Sequence, residues 1–384
     1  MARHTQATGH EAADRRQDTR FMRQALRLAA RGEGFTRPNP PVGAVVVRDG
    51  RVIGRGYHRA AGLPHAEVEA LNACRESARG ATLYVTLEPC STTGRTPPCT
   101  GRIVQEGLAR VCIGCLDPNP RHAGRGITRL REAGIAVETG ICETACRELI
   151  EPFTRHILDQ RPMVTLKLAL TLDGRLADRE RRSKWITGET ARAWVQRLRR
   201  RTDAIMVGAG TVLADDPELR CRLPGAGAAW RVVVDGTGRL PAGRRLFTDA
   251  YAARTIVATT PEGAERLRQR LPAHSPVTLW SFNPDQTGGI PLDELLRHLA
   301  REKDVMHVLC EGGAQLAGAL VKAHLVDECH LVYAPLMLGD AAALGAFEGI
   351  GWLLPEARRG RISAVRRLGA DLLVTLRPEA ECRK

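Results

Sequence analysis

The 384-residue sequence predicts an α/β protein of two domains, on three observations. Segments with strand patterning alternate with segments of helical periodicity through most of the chain. The series breaks at Arg161-Pro162 and resumes at Val164. Hydrophobic residues at 43% and charged residues at 26% are globular proportions, which exclude a disordered chain and leave material for more than one core.

Residues 1–17 lack apolar periodicity and are expected to form a flexible tail. Phe21, Met22, Ala25, Leu26, Leu28 and Ala29 then recur at helical spacing as far as Gly32 and the Pro38-Asn39-Pro40-Pro41 turn. The apolar run 42–47, the Asp49-Gly50 turn signal and the alternating 52–57 predict a β-hairpin. Helices are expected at 65–79, 103–106, 126–133 and 143–158, with strands at 82–86, 110–114 and 135–138. The first domain therefore spans 18–160 as an α/β sandwich. The second, 161–384, has strands expected at 164–170, 204–207, 231–234, 255–258, 277–280, 306–309, 328–333 and 372–376, with helices between most of them.

Lys and Arg number 57 against 43 Asp and Glu, a net charge of +14. Much of the excess lies on helical faces such as that of Arg197, Arg199, Arg200 and Arg201, and aromatic residues make up only 4% of the chain. That is poor material for base stacking, so no nucleic-acid partner is expected. Residues 1–20 carry no signal-peptide apolar segment and no stretch reaches the ~18–20 apolar residues of a membrane span, so a cytoplasmic protein with no membrane partner is expected. Eleven cysteines, an odd number without a secretory signal, read as reduced thiols, some of them metal ligands.

The decisive residues of the first domain are His65-Ala66-Glu67, Glu88-Pro89-Cys90 and Pro97-Pro98-Cys99. A catalytic zinc takes three protein ligands and keeps one open position. His65, Cys90 and Cys99 supply that count, one Zn2+ per chain. Glu67, two residues after the histidine near a helix start, reaches the open position without being a ligand and suits a proton shuttle. This is the arrangement of zinc-dependent deaminases, with a longer interval than usual between the two cysteines. Cys112 and Cys115 lie three apart on an expected strand, where they face opposite ways and read as core. Cys142 and Cys146 have no third ligand near them in sequence.

Further segments resemble one family, the bifunctional deaminase/reductases of riboflavin biosynthesis. They include Pro38-Asn39-Pro40, Thr86-Leu87-Glu88-Pro89-Cys90, Gly94-Arg95-Thr96-Pro97-Pro98-Cys99, and Asp117-Pro118-Asn119-Pro120 before Gly124-Arg125-Gly126. In the second half they include Leu172-Asp173-Gly174, Ser183-Lys184-Trp185-Ile186-Thr187, the run from Gly210 to Pro217, and Glu311-Gly312-Gly313. The resemblance implies a cytidine-deaminase-like α/β/α sandwich followed by a dihydrofolate-reductase-like α/β domain. It implies deamination of a phosphorylated diaminopyrimidinone, with Asn39, Thr92 and Arg95 against the substrate. At Thr92 the family usually has a histidine that touches the pyrimidine, and a hydroxyl cannot carry imidazolium charge. A diverged paralogue acting on a related pyrimidine stays open for that reason.

In the second domain, Glu311-Gly312-Gly313 follows a buried strand and opens a helix, which lets backbone N–H groups approach a phosphate. A tight strand-to-helix turn alone would leave the same glycines. By resemblance the cofactor is NADPH, contacted by Leu170, Trp185, Thr211, Asp215, Gly236, Gly313, Ala314, Gln315, Leu316, Ala317, Gly318 and Ala319. Also by resemblance, Lys167, Ser183, Arg199, Leu219, Arg222 and Glu311 contact the phosphoribosyl substrate. Arg199 and Arg222 suit phosphate, which guanidinium binds bidentately. A homodimer through the reductase domain is implied by the family alone.

Overall fold

The computed structural model describes residues 9–94 and 97–379, with side chains from residue 14 onward. The chain forms two compact units, Met1–Asp159 and Gln160–Lys384. Among the described residues no helix is long and apolar enough to cross a membrane.

The N-terminal unit runs α1 (Gly9–Ala29), β1 (Gly43–Arg48), β2 (Arg51–Tyr57), α2 (Ala66–Asn72), β3 (Thr82–Leu87), α3 (Cys99–Gln105) and β4 (Arg110–Cys115). It continues with α4 (Arg125–Glu132), β5 (Ala136–Thr139), α5 (Glu143–Leu149) and α6 (Glu151–Asp159). The strands form one sheet in the order β2-β1-β3-β4-β5, with an antiparallel hairpin at one edge and β3, β4 and β5 parallel. Both faces are covered. Ala44 and Val46 of β1 pack with Ala70, Ile103 and Leu130, whereas Val45 and Val47 pack with Phe21, Met22 and Cys146. A strand buried on both faces reads as a continuous apolar run, as this one does.

Two glycines set how closely α2 approaches the hairpin. A Cβ on Gly54 would lie 2.2 Å from the Ala70 carbonyl oxygen, and one on Gly56 would lie 2.3 Å from the Ala70 nitrogen. The helix start, with His65 and Glu67, is thereby pressed against the sheet.

Three expectations are corrected. Of the tail expected over 1–17, residues 9–17 are helix, since α1 already runs through them, and residues 1–8 lie outside the described residues. The side chains of Asp14 to Gln17 are all exposed, so this part of the helix has no apolar stripe to read. The helix expected over 65–79 ends at Asn72, after which the Arg75 N–H donates to the Ile53 carbonyl of β2. The helix expected over 143–158 is two helices, broken where Ile150 leaves helical geometry (φ −98°, ψ 9°).

The C-terminal unit contains β6 (Met163–Thr171), β7 (Arg175–Ala177), α7 (Glu189–Arg200), β8 (Ala204–Gly208), α8 (Ala209–Asp215), β9 (Trp230–Val234), α9 (Arg245–Thr248), β10 (Thr255–Thr259) and α10 (Pro261–Arg270). After them come β11 (Thr278–Ser281), α11 (Leu292–Lys303), β12 (His307–Cys310), α12 (Ala314–Lys322), β13 (Glu328–Ala334), β14 (Leu344–Gly345), β15 (Gly360–Leu368) and β16 (Asp371–Pro378). Nine strands form a sheet in the order β11-β10-β9-β8-β12-β6-β13-β16-β15, parallel except for the last two pairings. Ala204 and Met206 of β8 face one core and Ile205 and Val207 the other. From β8 the chain passes to β9 on one side, and from β12 to β13 on the other. The order therefore reverses between β8 and β12, and open α/β sheets bind ligands at the carboxyl ends of the strands flanking such a point.

Candidate active sites

Three elements bring the first site together. His65 is the residue before α2, Cys90 follows the end of β3, and Cys99 is the first residue of α3. The His65 Nδ1 lies 3.6 Å from the Cys90 Sγ and 3.3 Å from the Cys99 Sγ. A tetrahedral zinc with bonds of about 2.0–2.1 Å to nitrogen and 2.3 Å to sulfur separates such donors by about 3.5 Å, so the triangle fits the ion. The Cys99 N–H donates to the Cys90 Sγ at 3.3 Å, which favours a thiolate there. The hydrogen bond with the Cys99 thiol, and then His65, hold the Cys90 thiol well below its ordinary range. Glu67 is buried at 4% exposure, and burial, reinforced by Cys90, pushes its carboxyl up to about 7.

Of the residues expected against the pyrimidine, Asn39 is at the site: its Nδ2 is 3.1 Å from the His58 Nε2. Thr92 lies in the segment joining the two cysteines, and Arg95 falls outside the described residues. Sequence reasoning missed His58, a lone histidine ending an alternating strand. It is 2% exposed, and its ring packs edge-on against His65 with centroids 5.2 Å apart. Its Nδ1 lies 3.2 Å from the Pro64 carbonyl. One tautomer serves both contacts: Nδ1–H donates to Pro64 and Nε2 accepts from Asn39. Burial lowers the imidazole's pKa, in keeping with that neutral form.

Glu88, in the Glu88-Pro89-Cys90 motif, has a specific task in the structure. Its carboxylate accepts backbone N–H groups from Asp117 (3.3 Å), Gly124 (2.9 Å), Gly126 (2.9 Å) and Ile127 (3.4 Å). The 117–127 segment is thereby fastened to the residues leading into Cys90. A Cβ on Gly126 would lie 2.1 Å from the Pro89 carbonyl oxygen, so the same seam requires a glycine.

A second group of potential metal donors, Asp18, Cys112 and Glu138, already holds a cation. Arg110 donates to both oxygens of Asp18 at 2.9 and 2.7 Å and to Glu138 at 2.5 Å, while the Tyr84 hydroxyl donates to Asp18 at 2.6 Å. Cys112 and Cys115 are both core residues as expected, but they lie in one core cluster, not on opposite faces.

The second site is a cleft of about 1820 Å³ in the C-terminal unit, at the reversal between β8 and β12. It exceeds the ~300–1,000 Å³ of one small ligand and has room for two. Gly208, Gly210 and Thr211 line it from the end of β8, and Glu311, Gly312 and Gly313 from the end of β12. Gly312 (φ 116°) and Gly313 (φ 92°) sit in backbone conformations that side chains disfavour. Asp215 accepts the Ser183 hydroxyl at 3.3 Å, and Trp185, 70% exposed, lies under the Arg192 guanidinium. Gly236, Leu219 and Arg222 also line the wall, as do Ala314, Gln315, Leu316 and Ala319.

Four of the expected contact residues are engaged by the protein itself. Leu170 and Ala317 belong to the hydrophobic core, not to the cleft wall. Gly318 is used for packing, since a Cβ there would lie 1.9 Å from the Glu348 carbonyl oxygen. Arg199, on the cleft wall, is already paired. It donates to both oxygens of Glu311 at 2.5 and 2.6 Å and to the Arg220 carbonyl at 2.9 Å. Burial pulls the Glu311 carboxyl upward, but Arg199 and then Lys167 hold it below its ordinary range. Lys167 is lowered by burial, against the opposing charge of Glu311.

Fold and sites together define a two-part enzyme, a zinc-dependent deaminase followed by an NADPH-dependent reductase. The model of the cytidine and deoxycytidylate deaminase zinc-binding region matches residues 15–115, and that of the RibD C-terminal domain matches residues 162–374. The chain belongs to the RibD family of riboflavin biosynthesis proteins. It is 41% identical over 360 residues to the riboflavin biosynthesis protein RibD of Aquifex aeolicus, covering 93% of this chain and 97% of that one. To RibD of Bacillus amyloliquefaciens it is 42% identical, covering 94% and 96%. Among solved structures, a diaminohydroxyphosphoribosylaminopyrimidine deaminase/5-amino-6-(5-phosphoribosylamino)uracil reductase of Thermotoga maritima superposes with a TM-score of 0.85 at 38% identity, over 95% of this chain and 99% of that one. Acinetobacter baumannii RibD superposes with a TM-score of 0.82 at 37% identity, over 95% and 100%.

Proposed function

We propose that this enzyme performs two successive steps on one phosphorylated pyrimidine. Residues 18–160 hydrolyse the ring amino group of 2,5-diamino-6-(5-phosphoribosylamino)pyrimidin-4-one, and residues 161–384 reduce the ribosyl arm of the product to ribityl. The observation that carries the first step is the donor triangle of His65, Cys90 and Cys99 beside the buried Glu67.

Bound zinc would lower the pKa of a water and so supply a nucleophile at neutral pH. Glu67 takes the water's proton on its carboxylate and returns it to the departing nitrogen, which leaves as ammonia while the ring gains a carbonyl. The neutral His58 aligns the Asn39 carboxamide for the pyrimidine, and Thr92 and Arg95 complete the substrate side.

Bound NADPH would supply a hydride for C1′ of the opened ribose. Gly313, with Thr211 beside it and Asp215, receives the dinucleotide. Lys167, Ser183, Leu219 and Glu311 face the phosphoribosyl arm. Arg222, 59% exposed at the cleft, donates through Nε to Glu218 and turns its remaining N–H groups to the phosphate, while Arg199 positions Glu311 beside the same arm.

The same reading makes the protein cytoplasmic, without a nucleic-acid partner, and a homodimer through the reductase unit. For the dimer we note Met337, Leu353, Leu354, Ile362 and Val365, apolar side chains 58–90% exposed in that unit. Light scattering that gave a monomer would remove the dimer.

A mass-resolved time course of zinc-loaded protein with the diaminopyrimidinone tests the sequence of steps. Exchange of an amino group for a carbonyl without NADPH, then gain of two hydrogens only with it, is expected. Silence from folded, metal-replete protein overturns the reading.

A further inference from the structure

We propose that His122 is a substrate-positioning residue of the deaminase site, its imidazole held at the rim beside Thr92 to donate to an acceptor oxygen of the substrate. The proposal rests on the deaminase reading of the N-terminal unit. Thr92 lies two residues after the zinc donor Cys90, in the segment that returns the chain to the donor Cys99. Its Oγ1 is 3.5 Å from the His122 Nδ1. The histidine therefore belongs to the surroundings of that segment although thirty positions separate the two residues in sequence.

Both sides of this contact are built. The His122 turn is closed by its own N–H donating to the Asn119 carbonyl at 2.8 Å and by the Arg125 N–H donating to the His122 carbonyl at 3.0 Å. Glu88 grips the same turn through the N–H groups of Asp117 and Gly124. On the opposite side, the Arg129 guanidinium donates to the Ser91 carbonyl at 3.2 Å, next to Thr92. Thus two tethers, one from the strand end bearing Cys90 and one from α4, set the 119–125 turn against the segment between the cysteines.

His122 is half-buried in this position. When the Thr92 hydroxyl donates to Nδ1, the ring's proton resides on Nε2, which is left as a donor. A phosphorylated pyrimidinone offers carbonyl and phosphate oxygens as acceptors. The reaction needs no further acid or base from His122, because Glu67 moves the proton, so the imidazole acts by binding and orientation.

Steady-state deamination by wild type, His122→Ala, His122→Gln and the double variant Thr92→His/His122→Ala tests this. Zinc content and reduction of separately supplied deaminated substrate serve as internal controls. For His122→Ala we expect KM to rise about tenfold, the loss of one substrate hydrogen bond, with kcat within about twofold and both controls unchanged. Glutamine, whose amide N–H occupies nearly the place of Nε2–H, and the double variant, which restores an imidazole on the opposite wall, should each recover most of that loss. An unchanged KM in His122→Ala overturns the proposal, as does a fall in kcat accompanied by zinc loss, which would make the turn merely structural. A wild-type protein that reduces but does not deaminate refutes instead the deaminase reading, and the proposal with it.

Discussion

The two active sites are built on opposite plans. In the N-terminal unit the chemistry resides in side chains, and every donor comes from the stretch between His65 and Cys99. In the C-terminal unit the cleft wall draws on residues from Lys167 to Glu348, and much of what it offers is backbone at strand ends. A site that must hold a metal requires particular atoms, and leaves residue types at fixed places in the sequence. A site that must hold a large organic cofactor requires shape, and leaves little beyond glycines and a strand order.

The contrast is sharpest where a donor is removed. Cys90→Ala should lose zinc and lower deamination by about 10³-fold or more, with reduction of deaminated substrate intact; metal analysis and the two separate assays check this. Glu67→Gln should retain zinc yet lower deamination kcat by about 10²–10⁴-fold, since the metal geometry stays and the proton carrier goes. If it kept full rate, Glu67 would be no more than a buried acid. Asp18→Ala leaves Arg110 without its main partner in a half-buried place and should destabilise the N-terminal unit by about 2–3 kcal/mol. Hydrogen exchange in β3 and β4 reads that loss, and β8 and β12 should stay protected. The smallest effect belongs to the backbone-built site. Gly313→Ala at φ 92° should cost about 1–2 kcal/mol locally and raise the NADPH KM several-fold, leaving deamination untouched.

Legibility in the sequence follows the same division. The β1–β2 hairpin and the parallel strands were plain, because strands buried on two faces are apolar throughout. The pair β7 and β14 and the edge strand β15 were not: the first two are only a few residues long, and β15 shows solvent most of its side chains. The start of α1 was hidden because Asp14 to Gln17 have no buried face. His65, Glu67, Cys90 and Cys99 could be named from type and spacing. His58 and Asp18 could not, since nothing local distinguishes a histidine at a strand end or an aspartate on a helix whose partner Arg110 is far off in sequence. In the cleft, Leu170, Ala317 and Gly318 sit beside lining residues along the chain, but the first two turn into the core and the third packs against the Glu348 backbone. Arg199 illustrates a different limit, because a sequence shows a guanidinium without showing that a carboxylate already occupies it.

The Glu88 seam carries a consequence for how the protein responds to its solvent. Three of the carboxylates described above neutralise an arginine, and such pairs weaken as mobile ions accumulate around them. Glu88 is answered by four peptide N–H groups and by no cation among the contacts described. Fixed dipoles at hydrogen-bonding distance, 5% exposed, are beyond the reach of dissolved salt. In a chain of net charge +14, the joint that aligns the zinc loop is thus written in peptide dipoles, and ionic strength can loosen the arginine-bearing surface without disturbing it.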